Sequence, residues 1–185
     1  MRIPGVTDAE LAALAAAGDG DAFGELVERY APAARRVTRA ILADPHDADD
    51  AAQDGFLSAW RHLSRFDGTR PFGPWLMRIV INAAQDFRRR RVVRTTEPLP
   101  EDRAGGGETP EESTARALLR KSLADALAAL PERQRLAVVL FDAEGYSHAE
   151  ISKVLGVAEG TVRSDVFHAR RALRTALSAY AGEGR

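Results

Sequence analysis

The chain has 185 residues, no cysteine, 45% hydrophobic and 29% charged residues, and a formal net charge of −1. This balance is typical of a soluble protein with one ordinary or two small domains, and it excludes a disulfide-stapled, collagen-like or wholly disordered chain. The histidines lack metal-ligand spacing, no apolar run is long enough to span a bilayer, and residues 1–17 lack the pattern of a signal peptide. We therefore expect a cytoplasmic protein with no metal, no cofactor and no membrane insertion.

Charge is sorted into blocks along the chain. Residues 1–60 hold five basic and 11 acidic residues, whereas residues 61–94 hold nine basic and two acidic residues. Residues 95–117 are acidic again, with six acids and two arginines. A basic block inside a near-neutral chain favours a local site for a polyanion, and the acidic block before it is expected to face something else. A solvated, arginine-rich helix face is the alternative.

Apolar residues recur at helical spacing along most of the chain, which predicts an all-α fold. Thr7 and Glu10 form a possible capping box before a short Ala/Leu-rich helix. A longer helix follows from about Asp21, and Pro32 is expected to kink it or split it, because proline removes a backbone donor and crowds the preceding turn.

A turn is predicted at residues 44–45 and a helix over about residues 47–63. Residues 66–74 contain two glycines and two prolines and are predicted to form a loop. Trp75 then opens another helix, which ends in the arginine run at residues 88–91. We expect these helices to share one small core.

Residues 97–110 hold three prolines, three adjacent glycines and mostly acidic polar side chains. Such a segment cannot bury enough apolar area to offset its ordering entropy. We therefore predict two small helical domains, residues 1–94 and 114–185, joined by a flexible acidic linker over residues 95–113.

The second domain has the spacing of a helix-turn-helix. Ser147 and Glu150 form a capping-box pair, and Gly156 ends the short helix that they begin, because only glycine adopts the left-handed conformation cheaply. The exposed first turn of the helix that follows is the part that such a motif inserts into the major groove of DNA. An ordinary helical hairpin is the alternative. The candidate contacts to phosphates and base edges are Thr161, Arg163 and Ser164.

Four motifs carry a family resemblance. They are DADDAAQDGF at residues 47–56, FGPWLMRIVIN at residues 72–82, LPERQR at residues 130–135 and GTVRS at residues 160–164. In this order and spacing they resemble regions 2 and 4 of the extracytoplasmic-function (ECF) group of bacterial sigma factors. The resemblance implies a non-enzymatic alternative sigma factor that binds core RNA polymerase, directs it to specific promoters and helps to melt the −10 element.

The resemblance also implies roles for individual residues. The acidic helix is expected to dock on the clamp coiled coil of the polymerase β′ subunit through Asp50, Gln53 and Asp54. The −10 element, whose opened strand needs rings and cations, is assigned to Phe66, Phe72, Trp75, Arg78, Asn82, Asp86, Arg88 and Arg89. The −35 element is assigned to Glu159, Thr161, Arg163, Ser164, Phe167, His168 and Arg170. The β flap and an anti-sigma factor are further expected partners. A core position is the alternative for Trp75.

Two residues depart from the family pattern, because Asp165 and His168 stand where that group usually carries basic side chains. A carboxylate facing DNA phosphates costs affinity, so Asp165→Arg is expected to tighten −35 binding; the alternative is that Asp165 points away from DNA. The competing function is a stand-alone helix-turn-helix regulator with an N-terminal sensing or dimerisation module. An enzyme is excluded, because the chain has no cysteine nucleophile and no glycine-rich phosphate loop.

Overall fold

The structure is a computed structural model of the chain and describes residues 5–94 and 114–178. Within these ranges the chain forms eight α-helices and no strand, which confirms the all-α prediction. The chain divides into two compact units, of which the first contains residues 5–94 and the second contains most of residues 114–178. The linker predicted over residues 95–113 lies outside the described residues.

Four helices build the first unit. They are α1 (Asp8–Ala16), α2 (Gly20–Arg39), α3 (Pro45–His62) and α4 (Phe72–Arg94), with a 3₁₀ turn at Leu63–Arg65. Helix α3 packs along α4, and α2 packs against both of them and against α1. The core between them is mostly apolar; its fully buried side chains include Leu11, Leu26, Leu76, Met77 and Val80.

Side-chain caps fix where these helices begin. The predicted capping box at α1 is present, with the Glu10 backbone N–H donating to the Thr7 hydroxyl and the Thr7 N–H donating to the Glu10 carboxylate. Asp44 caps α3 by accepting from the N–H groups of His46 and Asp47. The expected turn at residues 44–45 is therefore the start of a helix, with Pro45 at a first-turn position where no N–H is needed.

The structure corrects the splitting alternative for Pro32 and the end of the predicted loop. Helix α2 is not split at Pro32 but continues to Arg39. The predicted loop ends at residue 71, because Phe72, Gly73 and Pro74 belong to the first turn of α4. The first four N–H groups of a helix have no intrahelical partner, so a proline in the first turn costs little.

Residues 114–176 form α5 (Thr114–Ala128), α6 (Glu132–Val138), a π-helical turn at Val139–Ala143, α7 (His148–Leu155) and α8 (Glu159–Ala176). The predicted helix-turn-helix is α7 followed by α8. Gly156 adopts φ 68° between them, and the Val157 N–H donates to the Ser152 carbonyl at 3.2 Å. Ile151 on α7 and Val162 on α8 are both fully buried, which places the first turn of α8 beside a packed core.

Candidate nucleic-acid interface

A groove with a volume of about 900 Å³ lies between α3 and α4 in the first unit. Arginines line both of its walls, with Arg61 on the α3 side and Arg78 on α4. Arg78 and Asn82 are exposed and one turn apart, as the sequence predicted. The full set of charged, amide and aromatic lining residues is Asp54, Arg61, His62, Arg65, Trp75, Arg78, Asn82, Asp86 and Arg90.

Four aromatic rings form a cluster around the start of α4. The Phe72 ring centroid lies 5.3 Å from that of Phe66 and 5.5 Å from that of Trp75, and Tyr30 completes the contact at 5.5 Å. Phe72 is only 3% exposed, so its assignment as a ring that stacks on an opened base is wrong: it belongs to the core. Trp75 is half-buried, because one side packs on Phe66 at 5.1 Å while the residue also lines the groove.

Carboxylates partly neutralise the arginine run at the end of α4. Arg89 pairs with Asp86 one turn earlier, Arg90 Nη2 lies 3.4 Å from Asp54 Oδ2 across the helix interface, and Arg91 pairs with Asp47. Arg88 is half-buried. Acidic and basic blocks that are separated along the sequence therefore meet in space, and the cationic wall of the groove depends more on Arg61, Arg65 and Arg78 than on the run.

The motifs did not single out Arg61 and Arg65 as site residues. Both sit at the end of α3 and the turn after it, opposite α4, and both line the groove. The only sequence signal for them is that the basic block begins at residue 61, since neither belongs to a motif. Their position follows from the packing of α3 on α4.

The three residues predicted to dock on polymerase do not share one groove. Asp50 and Gln53 border a second groove of about 400 Å³ between α2 and α3, whose apolar lining includes Phe23, Val27, Phe56 and Leu57. Asp54 lines the first groove instead and pairs with Arg90. All three side chains are exposed, as expected for a protein-facing surface.

Helix α8 presents the predicted −35 residues. Arg163, Ser164, Phe167, His168 and Arg170 are exposed, and Phe167 is the most exposed large apolar side chain among the described residues at 62%. Glu159 and Thr161 are half-buried. Arg163 Nη2 lies 2.6 Å from the Glu159 carboxylate one turn earlier, so a phosphate or base contact by Arg163 competes with this pair.

Arg170 is held by the π-helical turn. Its Nε donates to Asp142 Oδ2 at 2.9 Å, and its guanidinium lies 4.8 Å from the Phe141 ring centroid. The hydrogen bond to Asp142 raises the pKa of Arg170 above its usual range. The surface beside it forms a groove of about 660 Å³ that also includes Arg171 and Arg174, two cations that the motifs did not single out. The signal for them is their recurrence at helical spacing after Arg163.

Asp165 is not on the exposed face of α8 that carries most of the predicted −35 residues. It is 3% exposed, and Arg133 on α6 donates from Nε to Asp165 Oδ2 at 2.6 Å and from Nη2 to Asp165 Oδ1 at 3.3 Å. The premise that an exposed Asp165 repels phosphates is therefore wrong, and the expectation that Asp165→Arg tightens binding loses its physical basis. An arginine there would meet Arg133 in a buried position. The alternative, that Asp165 points away from DNA and only solvates its helix, is right that the side chain leaves the exposed face but wrong about solvation, because Asp165 is buried and paired.

Comparisons with known proteins identify the two units. The family Sigma-70 region 2 matches residues 26–93, and the family Sigma-70, region 4 matches residues 120–173. The ECF RNA polymerase sigma factor SigM of Mycobacterium tuberculosis is 42% identical over 171 residues, covering 92% of this chain and 85% of the relative. CnrH of Cupriavidus metallidurans is 36% identical over 185 residues, covering 95% and 97%.

Solved structures agree with these relatives. The structure of CnrH in complex with the cytosolic domain of CnrY matches with a TM-score of 0.71 and 33% identity, covering 93% of this chain and 97% of that one. The sigma factor RpoE of Bartonella quintana, in complex with the anti-sigma factor NepR, matches with a TM-score of 0.66 and 25% identity, covering 84% and 96%.

A region 2 followed by a region 4 on helical units defines an RNA polymerase sigma factor of the sigma-70 class. The chain belongs to the ECF group of these factors, whose members bind core RNA polymerase, direct it to specific promoters and help to open them. A stand-alone regulator gives no account of the region 2 match. Within residues 5–94 and 114–178 no helix is both long and apolar enough to cross a bilayer, and no group of side chains has the composition of a metal site.

Proposed function

We propose that the groove between α3 and α4 receives the opened strand of the −10 element. An opened strand needs a cationic track for its backbone and an aromatic surface for its bases. Arg61, Arg65 and Arg78 supply the charge, the half-exposed Trp75 supplies a ring, and Asn82 supplies both a donor and an acceptor to a base edge. Exposed arginines on both walls, with Trp75 and Asn82 beside Arg78 on the α4 wall, are the observation that carries this assignment.

We propose that polymerase docks beside this groove, on the face of α3 that α2 borders. Asp50 and Gln53 rim an apolar cleft that includes Val27 and Leu57, and an apolar centre with a charged rim is how protein interfaces are usually built. The expected partner is the clamp coiled coil of the β′ subunit. Asp54 then acts mainly within the chain, through its pair with Arg90.

The second unit is proposed to read the −35 element as duplex, with the first turns of α8 in the major groove. Arg163 is the best candidate for a base contact, because it is exposed at the start of the second turn of α8 and guanine accepts two hydrogen bonds from arginine. Arg170, Arg171 and Arg174 follow on the next turns and are suited to phosphates. The β flap is the proposed polymerase contact of this unit.

The domain boundaries are proposed as residues 1–94 and 114–185, with a linker over residues 95–113. Two similar solved structures hold sigma factors in complexes, CnrH with the cytosolic domain of CnrY and RpoE with the anti-sigma factor NepR. We propose that this chain likewise has an anti-sigma partner and acts in the cytoplasm. It is proposed to act through binding, without catalytic chemistry of its own.

Two variants separate the promoter elements. With core polymerase and a promoter selected from a randomised library, Asn82→Ala is expected to reduce permanganate reactivity of thymines in the −10 region while leaving duplex affinity nearly unchanged. Arg163→Ala is expected to weaken −35 duplex binding by about 1–3 kcal/mol if its base contact is bidentate. Unchanged permanganate reactivity in Asn82→Ala would refute the assignment of the groove.

A third variant tests docking. Asp50→Arg is expected to lower the affinity for core polymerase, because it reverses a charge on the rim of the proposed interface. The matched control is Asp125→Arg, the same reversal at an exposed position of α5. Equal affinities of both variants and the wild type, with normal circular dichroism, would contradict the docking site.

A further inference from the structure

Helix α8 has an exposed outer face and a buried inner face. Its outer face carries the exposed Arg163, Phe167 and Arg170, and its inner face carries Val162, Val166 and Ala169, which are buried. Asp165 lies in the middle of that inner face and is 3% exposed. A buried carboxylate among apolar side chains is costly unless it is paired, so the structure around it must supply a cation.

Arg133 supplies that cation from α6. It reaches Asp165 with two donors, Nε at 2.6 Å and Nη2 at 3.3 Å, each to a different carboxylate oxygen. Within the part of the chain that the structure describes, no other basic side chain pairs with Asp165. The hydrogen bond that Arg133 donates to Asp165 raises the pKa of Arg133 above its usual range, which keeps the guanidinium charged.

A two-pronged pair restricts movement in a way that apolar packing does not. Small aliphatic side chains such as Val162, Val166 and Ala169 allow a helix to slide or rotate slightly at low cost, because apolar contacts are not directional. A bidentate arginine–carboxylate pair has one preferred geometry, and breaking it leaves a buried charge without a partner. The pair therefore selects one register of α8 on α6.

We propose that Arg133 is a positioning residue for −35 recognition: its pair with Asp165 fixes the rotation and register in which α8 presents its outer face to DNA. This inference rests on the proposed function, in which that outer face reads the −35 duplex. The Arg133 guanidinium does not itself read bases. It acts through Asp165, and sequence discrimination depends on it although it lies on another helix.

A direct phosphate contact by Arg133 is the competing account, because its side chain is 55% exposed. The two accounts differ in salt dependence. Losing one phosphate contact flattens the log–log salt dependence of duplex binding by about 0.9. Losing a positioning pair changes discrimination between sequences and leaves that slope unchanged.

The experiment uses holoenzyme assembled from the full chain and core polymerase. Affinity is measured for a promoter selected from a randomised library and for the same promoter with its −35 element scrambled, at several salt concentrations. The ratio of the two affinities is the −35 discrimination. The variants are Arg133→Gln, Asp165→Asn, the double variant Arg133→Gln with Asp165→Asn, and the control Lys121→Gln, which removes one exposed charge from α5.

Arg133→Gln is expected to lower the discrimination ratio about tenfold, the scale of one charge-assisted hydrogen bond, with an unchanged salt slope. The double variant restores a neutral hydrogen-bonded pair and is expected to recover the ratio to within about threefold of wild type, since coupled residues are non-additive. Lys121→Gln is expected to leave the ratio unchanged. Far-UV circular dichroism checks that each variant is folded. If Arg133→Gln loses helix, the −35 discrimination ratios of Asp165→Asn and of the double variant test the inference instead.

Three results overturn the inference. An unchanged ratio in folded Arg133→Gln shows that the pair does not position α8. A flattened salt slope without rescue in the double variant shows that Arg133 touches phosphate directly. If the double variant is folded and its discrimination ratio is no higher than that of Arg133→Gln, Arg133 does not act through Asp165. Failure of the wild type to discriminate −35 sequences would instead refute the promoter assignment of α8, which makes the two failures distinguishable.

Discussion

A close approach of α3 and α4 provides a quantitative test of the fold beneath the groove between these two helices. Gly55 on α3 faces α4, where a Cβ atom would lie 3.0 Å from Val80 Cα and 3.0 Å from Val80 Cγ2. Gly55→Ala gains about 1 kcal/mol of helix propensity. The added methyl must push against the backbone of a packed helix, which costs about 1–3 kcal/mol. We expect a net destabilisation of about 0–2 kcal/mol.

Gly24 is the matched control. It also lies inside a helix, α2, but a Cβ atom there meets nothing within 4 Å. Gly24→Ala is therefore expected to stabilise the unit by about 0.5–1 kcal/mol, because only the propensity gain applies. The change in the free energy of unfolding is therefore expected to be stabilising for Gly24→Ala and neutral to destabilising for Gly55→Ala.

Tryptophan fluorescence reports this unit alone, because both tryptophans of the chain, Trp60 and Trp75, lie in it. For a domain of this size 1 kcal/mol shifts the thermal midpoint by about 4–8 °C. The midpoint of Gly24→Ala is thus expected to exceed that of Gly55→Ala by several degrees. If Gly55→Ala raises the midpoint as much as Gly24→Ala does, the close approach of α3 and α4 is wrong, and with it the geometry of the groove.

Three further outcomes are expected. Phe72→Ala should destabilise the first unit by about 3–5 kcal/mol, as for any large core aromatic, and a loss of opening activity without a change in stability would contradict its burial. Asp142→Asn should lower the stability by under about 1 kcal/mol, because its pair with Arg170 is exposed. Because it releases Arg170, it should also tighten duplex binding and steepen its log–log salt dependence by up to about 0.9. An unchanged salt slope would indicate that Arg170 does not contact phosphate. The side-chain and backbone hydrogen bonds from Thr69 lower the pKa of Asp67, so Thr69→Ala should raise that pKa toward its ordinary value in an NMR titration, and an unmoved titration would remove this turn from the account.

Local signals in the sequence were enough for the helices and most of their ends. Helical periodicity, the capping box at Thr7 and the glycine at position 156 each act within a few residues, and the structure contains all three. Proline was the weak point, because its effect depends on position in the helix: Pro45 and Pro74 occupy first turns where their missing N–H is not needed.

The errors at the site have a different origin, namely partners distant in sequence. Asp165 is separated by 32 residues from Arg133, so no spacing rule could have paired them. Phe72 has an aromatic ring of the kind that stacks on bases, and only the packing of Tyr30 and Trp75 around it shows that it belongs to the core. Arg61 was missed for the same reason: it lines the groove only because α3 packs on α4, a contact between segments that are distant in sequence.

If the groove receives an opened strand as proposed, the length of α4 along it limits how many bases it holds. From Trp75 to Asp86 the helix rises about 16 Å, at about 1.5 Å per residue. Stacked nucleotides are spaced about 3.4 Å apart along a strand, so this length matches about five of them, and fewer when the bases are splayed. A word of about five bases recurs by chance about once in a thousand positions, and a genome offers about a million or more competing sites. A sequence element of the length that one groove can bind is therefore too short to specify a promoter. Promoter selection requires a second sequence element that is recognised independently of the first.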